Sequence, residues 1–202
     1  MIDIVFPDNN EQKFIEIAER LRISQLCFAY DKPTSIAEFQ AMTGIRLFNA
    51  VMCGPENVKK FKGSNITIVK APEDQTRLRF IIEKVRPDIL FNLEFSRQTD
   101  FIHHRASGLN HVLAALAKQK KVAVGFNFSA ILNAKPRQRA VYMGRIMQNI
   151  RFARKFRFRT VKASFAGSPW QLRSEHDLKS FFITLGMTAG EVNAALEWRG
   201  DR

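Results

Sequence analysis

The chain has 202 residues, 46% of them apolar, and a formal net charge of +13 from 32 Lys and Arg against 19 Asp and Glu. That apolar fraction excludes wholesale disorder, and the length is ample for a single well-packed core. No apolar run approaches the roughly 18 residues of a membrane span, no basic leader precedes Ile2-Asp3-Ile4-Val5-Phe6, and only Cys27 and Cys53 are available for disulfides, so a soluble, cytoplasmic chain is expected.

Strand-like runs rich in β-branched and aromatic residues fall at 2–6, 25–30, 46–52, 65–70, 88–93, 122–128 and 161–165. Most are almost continuously apolar, as strands covered on both faces are. After the first run, Asp8-Asn9-Asn10 can cap a helix with Glu11 near its positive end, and Phe14, Ile17, Ala18 and Leu21 form its apolar stripe. Pro33-Thr34-Ser35 opens a short second helix, and Gly44, Gly54-Pro55 and Gly63 punctuate the following units. Leu78, Ile81, Ile82 and Val85 make the next stripe, which Arg86-Pro87 ends because a residue before proline avoids the helical region. Ser107 and Asn110 offer caps for a helix ending near Lys118, with Val112, Leu113, Leu116 and Ala117 as its stripe.

This strand–helix alternation predicts a parallel α/β fold in one domain over 1–202. Seven strands in this length fall short of the roughly 250 residues of a complete (β/α)₈ barrel. The expected architecture is a TIM-barrel-like repeat, compact or incomplete, with an open doubly wound sheet as the alternative. Phe6-Pro7-Asp8-Asn9-Asn10 contains no glycine, so the first turn lacks a nucleotide-binding fingerprint.

The charge is unevenly spread. Residues 1–100 hold 14 basic and 14 acidic side chains, whereas 101–202 hold 18 and 5. Between Phe101 and Ser174 there are 15 Lys or Arg and no acid. Such self-repulsion points to a polyanionic partner, nucleic acid first and an anionic membrane second. A basic surface adapted to heat would carry Glu along with Lys, and this segment does not. Read as a helix, 137–157 gathers Met143, Ile146, Met147, Ile150 and Ala153 on one side and Arg137, Arg145, Arg151, Arg154 and Lys155 on the other. Its end, with Arg157 and Arg159 added, interleaves five cations with three Phe, more than a helix terminus needs. Lys118, Lys120 and Lys121 form a second cluster, Arg97 and Arg105 a third, and Arg139 extends the helix set. These cations are the candidate RNA contacts. Contacts of this type give affinity with little base readout, so a folded RNA recognised by shape is the expected target.

Catalytic signals are weak. His103 and His104 are adjacent and His111 lies seven residues on, with no HxH or HExxH spacing, so no metal site is expected. Cys27 and Cys53 sit in strand-like runs and read as inert thiols. No Ser/His/Asp or Cys/His arrangement is visible. Asp3 and Glu94 could pair inside a barrel, but solvated or capping carboxylates are the plainer expectation.

Gly108-Leu109-Asn110-His111-Val112-Leu113, then Leu116-Ala117 and Val122-Ala123-Val124-Gly125-Phe126-Asn127-Phe128-Ser129, resembles the ribonuclease P protein component 3 family of archaeal and eukaryotic ribonuclease P. The likeness is specific over about 105–140, and the length is more like the archaeal members. It implies a TIM-barrel-like fold and a protein subunit of the ribonucleoprotein that removes 5′ leaders from precursor tRNA. It further implies that the RNA supplies the active site and holds the magnesium ions, and that the subunit carries no cofactor. The implied partners are the ribonuclease P RNA, ribonuclease P protein component 2 and the other protein subunits. The family carries no catalytic residue over to this chain; Gly108, Asn110, His111 and Gly125 match its motif and read as structural or partner-facing. Asn127 departs from the family's usual Ser. The family is related to metal-dependent phosphoesterase barrels, whose His-rich motifs are missing here. A phosphoesterase-type enzyme and a free-standing RNA chaperone are the alternatives.

Overall fold

The computed structural model describes residues 2–95 and 99–196. Its strands are β1 (Ile2–Val5), β2 (Gln25–Tyr30), β3 (Arg46–Met52), β4 (Ile66–Lys70), β5 (Ile89–Phe91), β6 (Ala123–Asn127) and β7 (Thr160–Ala163). They pair in sequence order, all parallel, in one seven-stranded sheet. The helices that return the chain are α1 (Glu11–Arg20), α2 (Ala37–Ala41), α3 (Val58–Phe61), α4 (Gln75–Phe80), α5 (His111–Gln119), α6 (Phe128–Asn133), α7 (Pro136–Phe156), α8 (Glu175–Thr184) and α9 (Ala189–Leu196). Each expected strand is present, within three residues at every end.

The sheet curls into a nearly closed barrel. At the seam between β7 and β1, Val5 bridges Ala166, and the Phe6 N–H donates to the Ala166 carbonyl at 2.8 Å. Below that bridge the Asp3 carboxylate accepts the Ser164 N–H at 2.6 Å. A side chain thus makes a link that a ladder would otherwise supply. The barrel interior is built from Ile4, Cys27, Ala29, Ala50, Ile68, Ile89, Ala123, Val161 and Ala163, all buried. Four alanines suit the narrow lumen of seven strands. At the C-terminal mouth Phe6, Phe91 and Phe165 form a plug, with ring centroids 5.0–6.1 Å apart. Cys27, sealed in this interior, has its thiol pushed up to about 12 by burial.

Outside the barrel, Leu26 and Phe28 pack on Phe14, Ile17 and Ala18 of α1. Leu90, Val124 and Phe126 pack under α5, α7 and α8. Asp74, Asn110, Asn127 and Ser174 cap their helices through the side chain. Asn10 does not cap α1; its side-chain oxygen turns back to accept the Asp8 N–H at 3.0 Å. Ser107 bonds the Leu109 carbonyl and leaves the α5 cap to Asn110. The buried face of α5 is Leu113, Ala114 and Ala117, with Val112 outside it. Arg86 does end the fourth helical segment, in a left-handed conformation. No helix among the described residues is long and apolar enough to cross a membrane.

Candidate nucleic-acid interface

The acid-free segment is organised by α7. Its 21 residues make a rod of roughly 30 Å, running from the C-terminal mouth of the barrel to the N-terminal face. The predicted cations therefore divide between two ends. Arg105, Arg137 and Arg139 lie with the loops after β5 and β6. Lys118, Lys120, Lys121, Arg157 and Arg159 lie where α5 and α7 turn into β6 and β7. Arg159 joins the two lower clusters, since its Nη2 donates to the Lys121 carbonyl at 2.9 Å. Arg151 and Lys155 are exposed along the helix above them. Beside them a groove of about 370 Å³ is lined by Ile150, Phe158 and Met187 together with Arg154, Arg157, Arg159 and the acidic Glu191.

The N-terminal face carries a repeated local structure. Arg22, Arg86, Lys121 and Arg157 each sit two or three residues ahead of a strand, with φ of 56–57°. All four are exposed. At Arg22 and Lys121 the turn is the same: the N–H of the following residue reaches back to the Ala18 carbonyl at 2.9 Å in one and to the Ala117 carbonyl at 3.0 Å in the other. Glycine adopts this conformation without penalty, whereas a side chain costs roughly 1 kcal/mol at each site. Four cations occupy the position where glycine would be cheapest, all on one end of the barrel. Lys121 and Arg157 were legible as charges in the sequence; Arg22 and Arg86 were not.

Several predicted contacts are occupied by the protein itself. Arg145 is 0% exposed, which corrects its assignment to the basic face. Its Nε donates to Asp100 at 2.7 Å and its Nη1 to the Glu94 carbonyl at 2.8 Å. The helical wheel allowed α7 one buried side, but the loop between β5 and α5 covers a second. Arg154 is held by both carboxylate oxygens of Glu191 at 2.7 Å and by the Gly186 carbonyl. That pairing holds the Glu191 carboxyl down at about 2. Arg139 donates to the carbonyls of Ile131, Leu132 and Ala134, closing the end of α6. Arg97 lies outside the described residues.

The motif residues are structural, His111 excepted. Asn110 caps α5 by accepting the Leu113 N–H at 2.9 Å. Gly108 has φ +81°, and a Cβ there would meet the Leu93 carbonyl oxygen at 2.7 Å. Gly125 faces the lumen, where a Cβ would lie 2.8 Å from the Phe165 ring and 3.0 Å from Phe91. His111, at the first position of α5, is exposed. Asn127 bonds Asn92 at 2.8 Å and caps α6 by accepting the Ala130 N–H at 3.0 Å, so its departure to Asn has a local use.

Asp3 and Glu94 are neither solvated nor paired with each other. Both are fully buried. Burial pushes Asp3 up to about 6 against the hydrogen bonds from the Ser164 and Ile4 amides. It pushes Glu94 up to about 7 against its hydrogen bond from Asn149. Asn149 donates at 2.7 Å to Glu94 and at 2.8 Å to the Ser107 carbonyl. Glu94, Asn149 and Arg145 thus form a buried frame beneath the loop after β5, with the exposed Asp100 bonded to its edge. Among the described residues no group of three or more His, Cys, Asp or Glu is gathered for a metal ion.

A family model, RNase P subunit p30, matches residues 6–199. The chain belongs to this family. Within it, this p30-family chain is 36% identical over 91 residues to "Ribonuclease P protein component 3" of Thermococcus kodakarensis, covering 45% of the chain and 41% of that relative. It is 28% identical over 145 residues to the protein of the same name from Thermococcus gammatolerans, covering 71% and 64%. The chain thus spans less than two thirds of the length of these curated relatives. Its fold is that of a chain in the "cryo-EM structure of archaeal Ribonuclease P with mature tRNA", with a TM-score of 0.77 at 23% identity over 96% of this chain and 86% of that one.

Proposed function

We propose that this p30-family chain is a non-catalytic protein subunit of ribonuclease P, the cytoplasmic ribonucleoprotein that removes 5′ leaders from precursor tRNA. It binds the catalytic RNA through phosphate contacts and supports its fold, while the RNA carries the chemistry and its magnesium ions. Ribonuclease P protein component 2 is the expected protein neighbour, on the charge-balanced first half of the chain, with the other protein subunits beyond it.

The observation that carries the RNA-binding half of this reading is the set of cations at the helix ends, Arg22, Arg86, Lys121 and Arg157. They hold a conformation that favours glycine and present charge on one face. Phosphate contact is what repays that arrangement. The phenylalanine plug supports the non-catalytic half, because it fills the end at which barrels of this architecture bind substrates.

The test is to recover the tagged chain from its own cells, sequence the bound RNA and assay the eluate on precursor tRNA. One dominant structured RNA and leader removal that nuclease treatment abolishes are the expected results. An eluate with no enriched RNA overturns the reading.

A further inference from the structure

In the loop between β5 and α5, residues 100–106 close on themselves and are tied to α7. Asp100 Oδ1 accepts the Ala106 N–H at 2.8 Å and the buried Arg145 Nε at 2.7 Å, so one carboxylate closes the 100–106 segment and joins it to α7. Within that segment the Phe101 N–H donates to the His104 carbonyl at 3.0 Å and closes a turn. The turn displays side chains that a free surface would not favour. Ile102 is 95% exposed and Phe101 is 44% exposed. The Phe101 ring lies against the His104 imidazole, with centroids 4.4 Å apart and planes at 21°.

Beside this ring pair is a cavity of about 200 Å³, bounded also by Arg105, Gln75, Gly108 and Asn110. Arg105 has a prepared seat. Its guanidinium rests on Gly144 of α7, where any Cβ would overlap Nη1. Glycine inside a helix lowers helix stability roughly fivefold relative to Ala, and here it makes room for a cation. The cavity is smaller than the roughly 300 Å³ at which pockets for drug-sized ligands begin. Flat π faces and an exposed guanidinium are the groups that take a single unpaired nucleobase and its phosphate, and the bordering carboxamides of Gln75 and Asn110 already bond the Gly108 carbonyl and the Leu113 N–H. An apolar protein side chain would match the ring pair alone, whereas a nucleotide matches both the ring pair and the cation.

We propose that this loop captures one unpaired nucleotide of an RNA, with the base stacked on the Phe101–His104 pair and the phosphate on Arg105. Gln75 and Asn110 border the base edge. This site rests on the RNA-binding reading above and adds to it a contact to an unpaired base, whereas the helix-end cations contact phosphate alone.

The experiment titrates the full chain with a labelled single-stranded oligoadenylate and with a blunt RNA duplex. Phe101→Ala is expected to weaken the single strand about tenfold, the scale of removing one base stack. Its log–log salt slope and its duplex affinity are expected to stay unchanged, because every cation that faces phosphate stays in place. Phe101→Trp is expected to keep single-strand affinity and to show indole quenching on binding. If wild type and Phe101→Ala bind the single strand alike while both bind RNA, the site is wrong and the subunit reading stands. If Phe101→Ala instead leaves RNA binding intact and loses a co-purifying protein subunit, the loop is a protein dock and the proposal fails. If the wild-type chain binds neither RNA, the subunit reading and this site fall together.

Discussion

Asp3 and Ser164 are 161 residues apart in sequence, and a 2.6 Å hydrogen bond between the Asp3 carboxylate and the Ser164 N–H joins the first strand to the last. The same oxygen accepts the Ile4 N–H at 2.9 Å, while Asp3 Oδ2 has no partner among the described residues. The seam of the barrel therefore depends on an acceptor that would be better neutral. With the folded carboxyl raised from 3.8 to about 6, its stabilising contribution is complete below 3.8 and is lost as pH rises through 6. The change is about 3 kcal/mol at 1.36 kcal/mol per pH unit. Asp3→Asn keeps the acceptor and removes the titration. Urea unfolding of both chains at pH 4 and pH 7.5 is expected to show the variant gaining relative to wild type at the higher pH. Parallel stabilities at both pH values would contradict this account of the seam.

Arg145 is expected to matter to folding. Removing one member of a buried ion pair costs about 3–5 kcal/mol, and the lower end applies because the Asp100 side chain is 29% exposed and can recover water. Arg145→Met is therefore expected to lose about 3 kcal/mol in urea unfolding and to open the 99–110 loop to proteolysis. Under conditions where the variant is folded, its RNA salt slope is expected to match wild type. Unchanged stability with a flatter salt slope would return Arg145 to the surface role that its sequence position suggests.

The contrast between Arg145 and the strands shows what the sequence carries. Strands covered on both faces are continuous apolar runs, so β2 and β3 were readable to the residue. The α7 limits were readable within one residue, because Pro136 starts the helix and the basic run ends it. Burial on α7 was not readable, because helical periodicity describes one covered side. The second cover is a loop whose path no periodicity encodes. Arg22 and Arg86 were missed for a different reason. Each is a lone cation in a charge-balanced stretch, and their likeness to Lys121 and Arg157 emerges only when positions are counted back from the strands. The family motif marked Gly108, Asn110 and Gly125 without their purpose, which is backbone space at two glycines and a helix cap between them.

Gly125 is expected to be intolerant of any side chain. A Cβ would meet the Phe165 ring at 2.8 Å, Phe91 Cβ at 3.0 Å and Ile89 Cγ2 at 3.2 Å. The Phe91 and Phe165 rings are already stacked at 5.0 Å, so neither can move without disturbing the plug. Gly125→Ala should cost about 1–3 kcal/mol, the range for overpacked cores. Pairing it with Phe165→Leu should return part of that loss, measured as a coupling in a double-mutant cycle. Additive losses would mean that the ring is not what Gly125 accommodates.

The two kinds of arginine at the end of α7 should separate in one titration. Arg157 is exposed and left-handed at the helix end, two residues before the Arg159 that bonds the Lys121 carbonyl. Arg154, three residues earlier, is clamped by Glu191 and the Gly186 carbonyl. Replacing Lys118, Lys121 and Arg157 with Ala should leave the melting temperature near wild type. It should also lower the log–log salt slope of RNA binding by roughly 0.7–0.9 for each phosphate that the variant no longer neutralises. Arg154→Ala should do the reverse, loosening α9 with little change in slope. Exposed ion pairs are worth at most about 1 kcal/mol, so that loosening should register as faster amide exchange in α9 and not as global unfolding. An equal flattening of the salt slope by both variants would mean that RNA displaces Glu191 from Arg154, and the basic surface would then extend under α9.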